Sequence, residues 1–127
     1  MYRVEITSSG TSEFQVKSKD YEFTVSTGGK GVTPPDTLLA SLGSCIGVYI
    51  RKYCEGAKIN LSDFSVRVEA EFTKEPPFRF EVINARIGLR GARLDERRKN
   101  ALLDFIRNCP VHNTLACRPQ INLQLSD

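Results

Sequence analysis

The sequence holds a single histidine, His112, so any serine–histidine–acid site would have to be built on that residue. No GxSxG, HExxH, Walker A or GxGxxG pattern occurs. That removes the common signatures of α/β-hydrolases, zinc proteases, P-loop proteins and dinucleotide-binding folds. Long apolar runs are missing too. The longest uncharged stretch, Thr37 to Ile50, is 14 residues, too short to span a bilayer. The first residues, MYRVEITSSG, alternate apolar and polar and contain no apolar export segment. The reading is a cytoplasmic protein with no membrane partner. Neither sign of charge dominates: 18 basic against 15 acidic side chains leave +3, which demands no polyanionic partner.

What is present fits one globular domain spanning residues 1–127, with 40% hydrophobic and 26% charged residues. Four cysteines stand at positions 45, 54, 109 and 117, without a CxxC pair. A cytosolic chain large enough to build its own core uses cysteines as free, reactive or metal-binding groups more than as staples. If the protein is an enzyme, its chemistry runs on sulfur. The set Cys109, His112 and Cys117, with Cys45 or Cys54, fits no common zinc module. No metal and no cofactor are therefore expected.

The N-terminal quarter reads as three short strands: Tyr2, Val4 and Ile6 alternate, then Phe14 and Val16, then Tyr21, Phe23 and Val25. After a glycine-rich loop, Thr33-Pro34-Pro35-Asp36 is a helix start with Thr33 as N-cap and Pro34 in the first helical position. This helix should run to about Cys54 and end at Gly56. From Leu38 to Ile50 it carries no charge on any face, the pattern of a buried helix. Such a helix needs cover on several sides, and part of it is expected from a second subunit, the alternative being one curved sheet of the same chain. Two longer strands follow, Phe64 to Phe72 and Phe78 to Leu89, with a break in alternation that predicts a bulge near Ile83. A second helix spans roughly Asp95 to Asn108 and buries Ala101, Leu102, Phe105 and Ile106. Pro110 interrupts it, and Ile121, Leu123 and Leu125 read as a last strand. The order βββ-α-ββ-α-β makes the fold class α+β.

Two sulfurs stand apart by position. Cys45 lies mid-helix, and Cys109 is placed as N-cap of a short helix opened by Pro110. A thiol at a helix start faces unpaired N–H groups and the positive dipole end, both of which lower its pKa. Each residue reads equally as a small apolar filler, as Cys54 and Cys117 do. Asp36 lies nine residues before Cys45, so on one helix the two point opposite ways and sit roughly 13 Å apart along the axis. Asp36 is either an acid stabilised by the helix dipole or a site residue delivered to Cys45 from another subunit.

The stretch Thr33-Pro34-Pro35-Asp36-Thr37-Leu38-Leu39-Ala40-Ser41-Leu42-Gly43-Ser44-Cys45 resembles the central-helix motif of the OsmC/Ohr family, the osmotically inducible and organic hydroperoxide resistance proteins. Cys109-Pro110-Val111-His112-Asn113-Thr114-Leu115 resembles the family's second cysteine motif. The resemblance implies an intertwined, domain-swapped homodimer with buried central helices and sites at the interface. It also implies a hydroperoxide reductase acting in oxidative-stress defence. Cys45 would attack an organic hydroperoxide, Cys109 would resolve the oxidised sulfur as a disulfide, and a dihydrolipoyl dithiol would reduce it. Asp36 occupies the place of the family's helix-start glutamate. No arginine lies between Ser8 and Glu13, where the family's arginine is expected, and Arg3 and Arg51 are the nearest.

Two other functions compete. One is a non-catalytic module of the same fold that binds an apolar ligand at the dimer interface. The other is nucleic-acid binding through Arg90, Arg93, Arg97, Arg98 and Lys99. Asp95 and Glu96 interrupt that cluster and no aromatics interleave it, so it reads as a solvated face with no nucleic-acid partner.

Overall fold

The computed structural model describes residues 1–8 and 10–126. Eight elements follow one another: β1 (Glu5–Ser8), β2 (Glu13–Lys17), β3 (Glu22–Ser26), α1 (Pro34–Gly56), β4 (Asp63–Phe72), β5 (Phe80–Arg90), α2 (Glu96–Ile106) and α3 (Pro110–Ala116). The fold is mixed α+β, strands first and helices later. The chain divides into two compact units, one from Met1 to Ala40 and one from Ser41 onward.

The first unit is an antiparallel sheet in the order β1-β2-β3. Its register pairs Ile6 with Val16 and Val16 with Phe23, and Phe14 with Val25, so the alternating apolar residues fall on one face. That face lines an apolar groove of about 530 Å³ with Val4, Tyr21 and Pro34. Helix α1 starts where its cap chemistry predicts: the Asp36 N–H donates to Thr33 Oγ1 at 3.2 Å.

In the second unit, Leu42, Ile46, Ile50 and Cys54 recur at four-residue spacing along α1 and pack with Leu94, Leu102 and Ile106. Phe64, Val66 and Val68 of β4 cover the helix from the sheet. Close approach is possible because Gly43 has no Cβ; one placed there would lie 3.1 Å from Val68 Cγ2. Burial is one-sided, however. Leu38 and Val48 are 40% and 50% exposed, so the single chain leaves part of this uncharged helix open. Gly56 is its last residue, and the left-handed position falls on Lys58, with φ 56°. The Ile59 N–H donates to the Cys54 carbonyl at 2.8 Å, which closes the end.

Strands β4 and β5 form an antiparallel ribbon, Val66 opposite Ile87 and Ala70 opposite Ile83. Beyond that pair Phe72 faces Phe80, so Glu81 and Val82 together oppose Glu71. This is the bulge where the alternation breaks. Asp95 caps α2 by accepting the Arg98 N–H at 2.9 Å. Leu102 and Ile106 are buried, whereas Ala101 is exposed, contrary to its expected place on the buried face. The expected last strand is not formed. Residues 118–126 pair with nothing as a strand, and Ile121, Leu123 and Leu125 are 77%, 91% and 98% exposed. Alternation makes a segment fit for a sheet but supplies no edge for it to join. No helix among the described residues is long and apolar enough to cross a membrane.

Candidate functional site

Cys45 lies in the middle of α1 beside Ile46 and is half-buried. Cys109 is fully buried where α2 ends and α3 begins. Its N–H donates to the Ile106 carbonyl at 2.9 Å, which ties it to the last turn of α2. Its sulfur caps α3, accepting the His112 N–H at 3.4 Å, with Pro110 at the helix start. These two sulfurs, 64 residues apart in sequence, meet: the Cys45 thiol donates a hydrogen bond to the Cys109 sulfur.

Opposing influences act on the Cys45 thiol. Burial pushes its pKa above the ordinary value, and the hydrogen bond to Cys109 raises it further by favouring the protonated form. The Val111 N–H, one of the donors left unpaired in the first turn of α3, bonds the sulfur and pulls the other way. The charge of Lys52 also pulls it down. The site thus holds a thiol, a second sulfur in contact with it, one backbone donor and one cation. Such a set can stabilise a sulfur anion and close a bond between the two sulfurs.

An aromatic wall stands alongside. Tyr49, four residues beyond Cys45, and Tyr53 both lie 5.8 Å from the Phe105 ring of α2. Tyr49, Lys52 and Val111 were not singled out in the sequence. Only the spacing of Lys52, seven residues after Cys45, carried a signal, because that spacing returns to the same helix face.

Asp36 is exposed in the first turn of α1, within the first unit, and is not among the groups acting on the Cys45 sulfur. His112 sets its Nδ1 3.3 Å from Asn113 Oδ1. No cluster of three or more metal-ligating side chains occurs among the described residues. Cys117 is exposed at the end of α3.

Cys54 is buried in the core, and burial raises its pKa, with the charge of Arg51 opposing. Below the ordinary thiol value, about 8.5, folded and unfolded chains both hold this proton. Above it the unfolded chain releases the proton first, so stability falls as pH rises toward the raised folded value. The urea midpoint should drop between pH 8 and 10, and Cys54→Ala should show a smaller drop over the same interval. An equal drop in both proteins would remove Cys54 from the alkaline transition.

An α+β chain with strands first, a long central helix, and two cysteines brought into contact defines a recognisable class of protein. The sequence profile of the OsmC-like proteins matches residues 27–124, and the chain belongs to that family. Solved structures agree in fold. The OsmC-like protein of Mycoplasma pneumoniae superposes with a TM-score of 0.81 at 21% identity, over 91% of this chain and 87% of that one. An organic hydroperoxide resistance protein OsmC from Legionella pneumophila gives 0.66 at 22%, over 91% and 90%. An organic hydroperoxide resistance protein from Elizabethkingia anophelis gives 0.66 at 20%, over 93% and 89%. Comparison with curated proteins finds no match.

Proposed function

We propose that the protein is a thiol-dependent reductase of organic hydroperoxides, with Cys45 as the attacking sulfur and Cys109 as the resolving one. The observation that carries this reading is the hydrogen bond between the two thiols. The Cys45 thiolate attacks the outer peroxide oxygen and gives it an electron pair. The O–O bond breaks, and the alkoxide leaves and takes up a proton as the alcohol. Cys45 is then a sulfenic acid. The Cys109 sulfur attacks Cys45, the S–O bond breaks, and water leaves as the disulfide forms. A dithiol of the dihydrolipoyl kind reduces that disulfide and is itself oxidised.

The working unit in this reading is an intertwined homodimer in the cytoplasm. The exposed Leu38 and Val48 on α1 support it. So do the apolar groove of the first unit and the unpaired, alternating segment from Ile121 to Leu125. All are surfaces that a second copy would cover. Asp36 of one copy would serve the Cys45 site of the other, since spacing on a single helix turns it away. One observation favours the non-catalytic alternative: burial pushes the Cys45 thiol above its ordinary value, which fits a module that holds an apolar ligand and does no chemistry.

Brief exposure to cumene hydroperoxide, trapping with dimedone and mass spectrometry of the peptides separate the two. The adduct should appear on Cys45 ahead of Cys54 and Cys117, and one alcohol should form per sulfur oxidised. Equal labelling of all four cysteines, or none, would favour the ligand-binding module.

A further inference from the structure

Helix α1 runs without interruption from Pro34 to Gly56, so Cys45 and Lys52, seven residues apart, differ by only about 20° around its axis. Lys52 is an exposed residue whose ammonium is nevertheless held against the helix. Its Nζ lies 4.8 Å from the centroid of the Tyr49 ring, and Tyr49 stands three residues nearer to Cys45. The side chain therefore leans N-terminally along the helix, the direction in which helical side chains tilt. Tyr49 is held in turn by the ring of Phe105, one turn before Cys109 on the chain. Lys52 forms no ion pair among the described residues, so no carboxylate neutralises its charge.

The neighbouring cation behaves differently. The guanidinium of Arg51 lies 4.9 Å over the Phe64 ring, and its charge acts on Cys54. Two adjacent basic residues thus divide between two sulfurs on different faces of one helix. Three groups face Cys45: the Cys109 thiol at the α2–α3 junction, the Val111 N–H of α3, and Lys52 of α1. The hydrogen bond that the Cys45 thiol makes to Cys109 favours its protonated form, so it opposes ionisation of Cys45.

We infer that Lys52 is a positioning residue for Cys45: its ammonium, laid back along α1 over Tyr49, supplies the positive charge that the sulfur needs once its proton leaves. This deepens the proposed function, because a thiolate at Cys45 serves catalysis only if Cys45 is the attacking group. The lowering influence of Lys52 on the Cys45 thiol has the sign the inference requires. The ammonium and the sulfur are about two turns apart at their backbones, so the effect is that of a nearby charge and not of a direct bond.

The test is the pH profile of Cys45 alkylation by iodoacetamide, resolved to the Cys45 peptide by mass spectrometry. It needs no peroxide and so reads the sulfur independently of turnover. Lys52→Met keeps the apolar stem and removes the charge. It should move the midpoint up by roughly 0.3 to 1 pH unit and slow alkylation at pH 7 about two- to tenfold. Lys52→Arg should restore the wild-type profile. Arg51→Met should leave the Cys45 profile in place. In wild type, raising salt from 0.05 to 0.5 M should move the midpoint toward that of Lys52→Met by screening. An unchanged midpoint in Lys52→Met, or an Arg variant as impaired as the Met variant, would overturn the inference. A shifted midpoint in a protein that never consumes hydroperoxide would uphold the role of Lys52 and refute the reductase.

Discussion

Ile50→Ala is expected to lower the stability of the folded chain by about 3–4 kcal/mol, within the range for truncating a fully buried isoleucine. Ile50 is 0% exposed and sits between Ile46 and Cys54 on the face of α1 that packs with Leu94, Leu102 and Ile106. The loss combines the apolar surface no longer removed from water with the cavity left among those neighbours. Collapse into that cavity is restricted. Gly43 and Gly47 already let Val68 and Phe64 approach α1 closely, so the sheet has little further to move. The loss is a large share of the roughly 5–15 kcal/mol that holds a domain together. Val48→Ala, two positions from both Ile46 and Ile50 and half exposed, should cost under about 1 kcal/mol in the isolated chain. Urea titrations of both variants at one protomer concentration would check this. Equal losses would mean that Val48 is as deeply covered in solution as Ile50, and so that a second copy packs there.

That contrast also marks where the sequence could be read and where it could not. Thr33, Pro34 and the apolar run after them identify α1 because capping and periodicity are local properties. The same holds for Pro110, which breaks the chain after α2 and makes Cys109 the cap of α3. The bulge opposite Glu71 shows as a phase change in alternation. Burial of α1 is another matter. An uncharged helix states that cover is needed and not which chain provides it, so Leu38 and Val48 remain open here. Ile121, Leu123 and Leu125 alternate as a strand should, yet pairing depends on an edge that local pattern cannot supply.

The site divides in the same way. Motif resemblance singled out Cys45 and Cys109, but their contact is a product of α2 packing against α1 through Phe105, Tyr49 and Ile106. Lys52 sits in the polar tail Arg51-Lys52, where its seven-residue spacing from Cys45 is the one sequence signal that sets the two cations apart. Ring contacts make the assignment: Phe64 takes Arg51 and Tyr49 takes Lys52.

Cys109→Ser is expected to separate the two halves of the proposed reaction. Serine is nearly isosteric here, and its oxygen can accept both the Cys45 thiol and the His112 N–H that the sulfur now accepts. The fold and the first oxidation should therefore survive, with one hydroperoxide consumed per chain at close to the wild-type rate. The second step cannot follow, because an alcohol forms no disulfide. A dissolved dithiol would have to reach a half-buried sulfenic acid that the neighbouring sulfur touches directly. Well-oriented intramolecular reactions gain effective molarities far above millimolar, so steady-state turnover should fall by about a hundredfold or more. Excess hydroperoxide should then drive Cys45 on to sulfinic acid, a gain of two oxygens on that peptide. Cys45→Ser should instead abolish even the first equivalent. Turnover by Cys109→Ser at the wild-type rate would make Cys109 a packing residue, and the contact between the sulfurs a feature of the core alone. A burst of one equivalent followed by arrest would assign the two sulfurs their separate roles, since only a resolving residue can be lost after the first oxidation has already occurred.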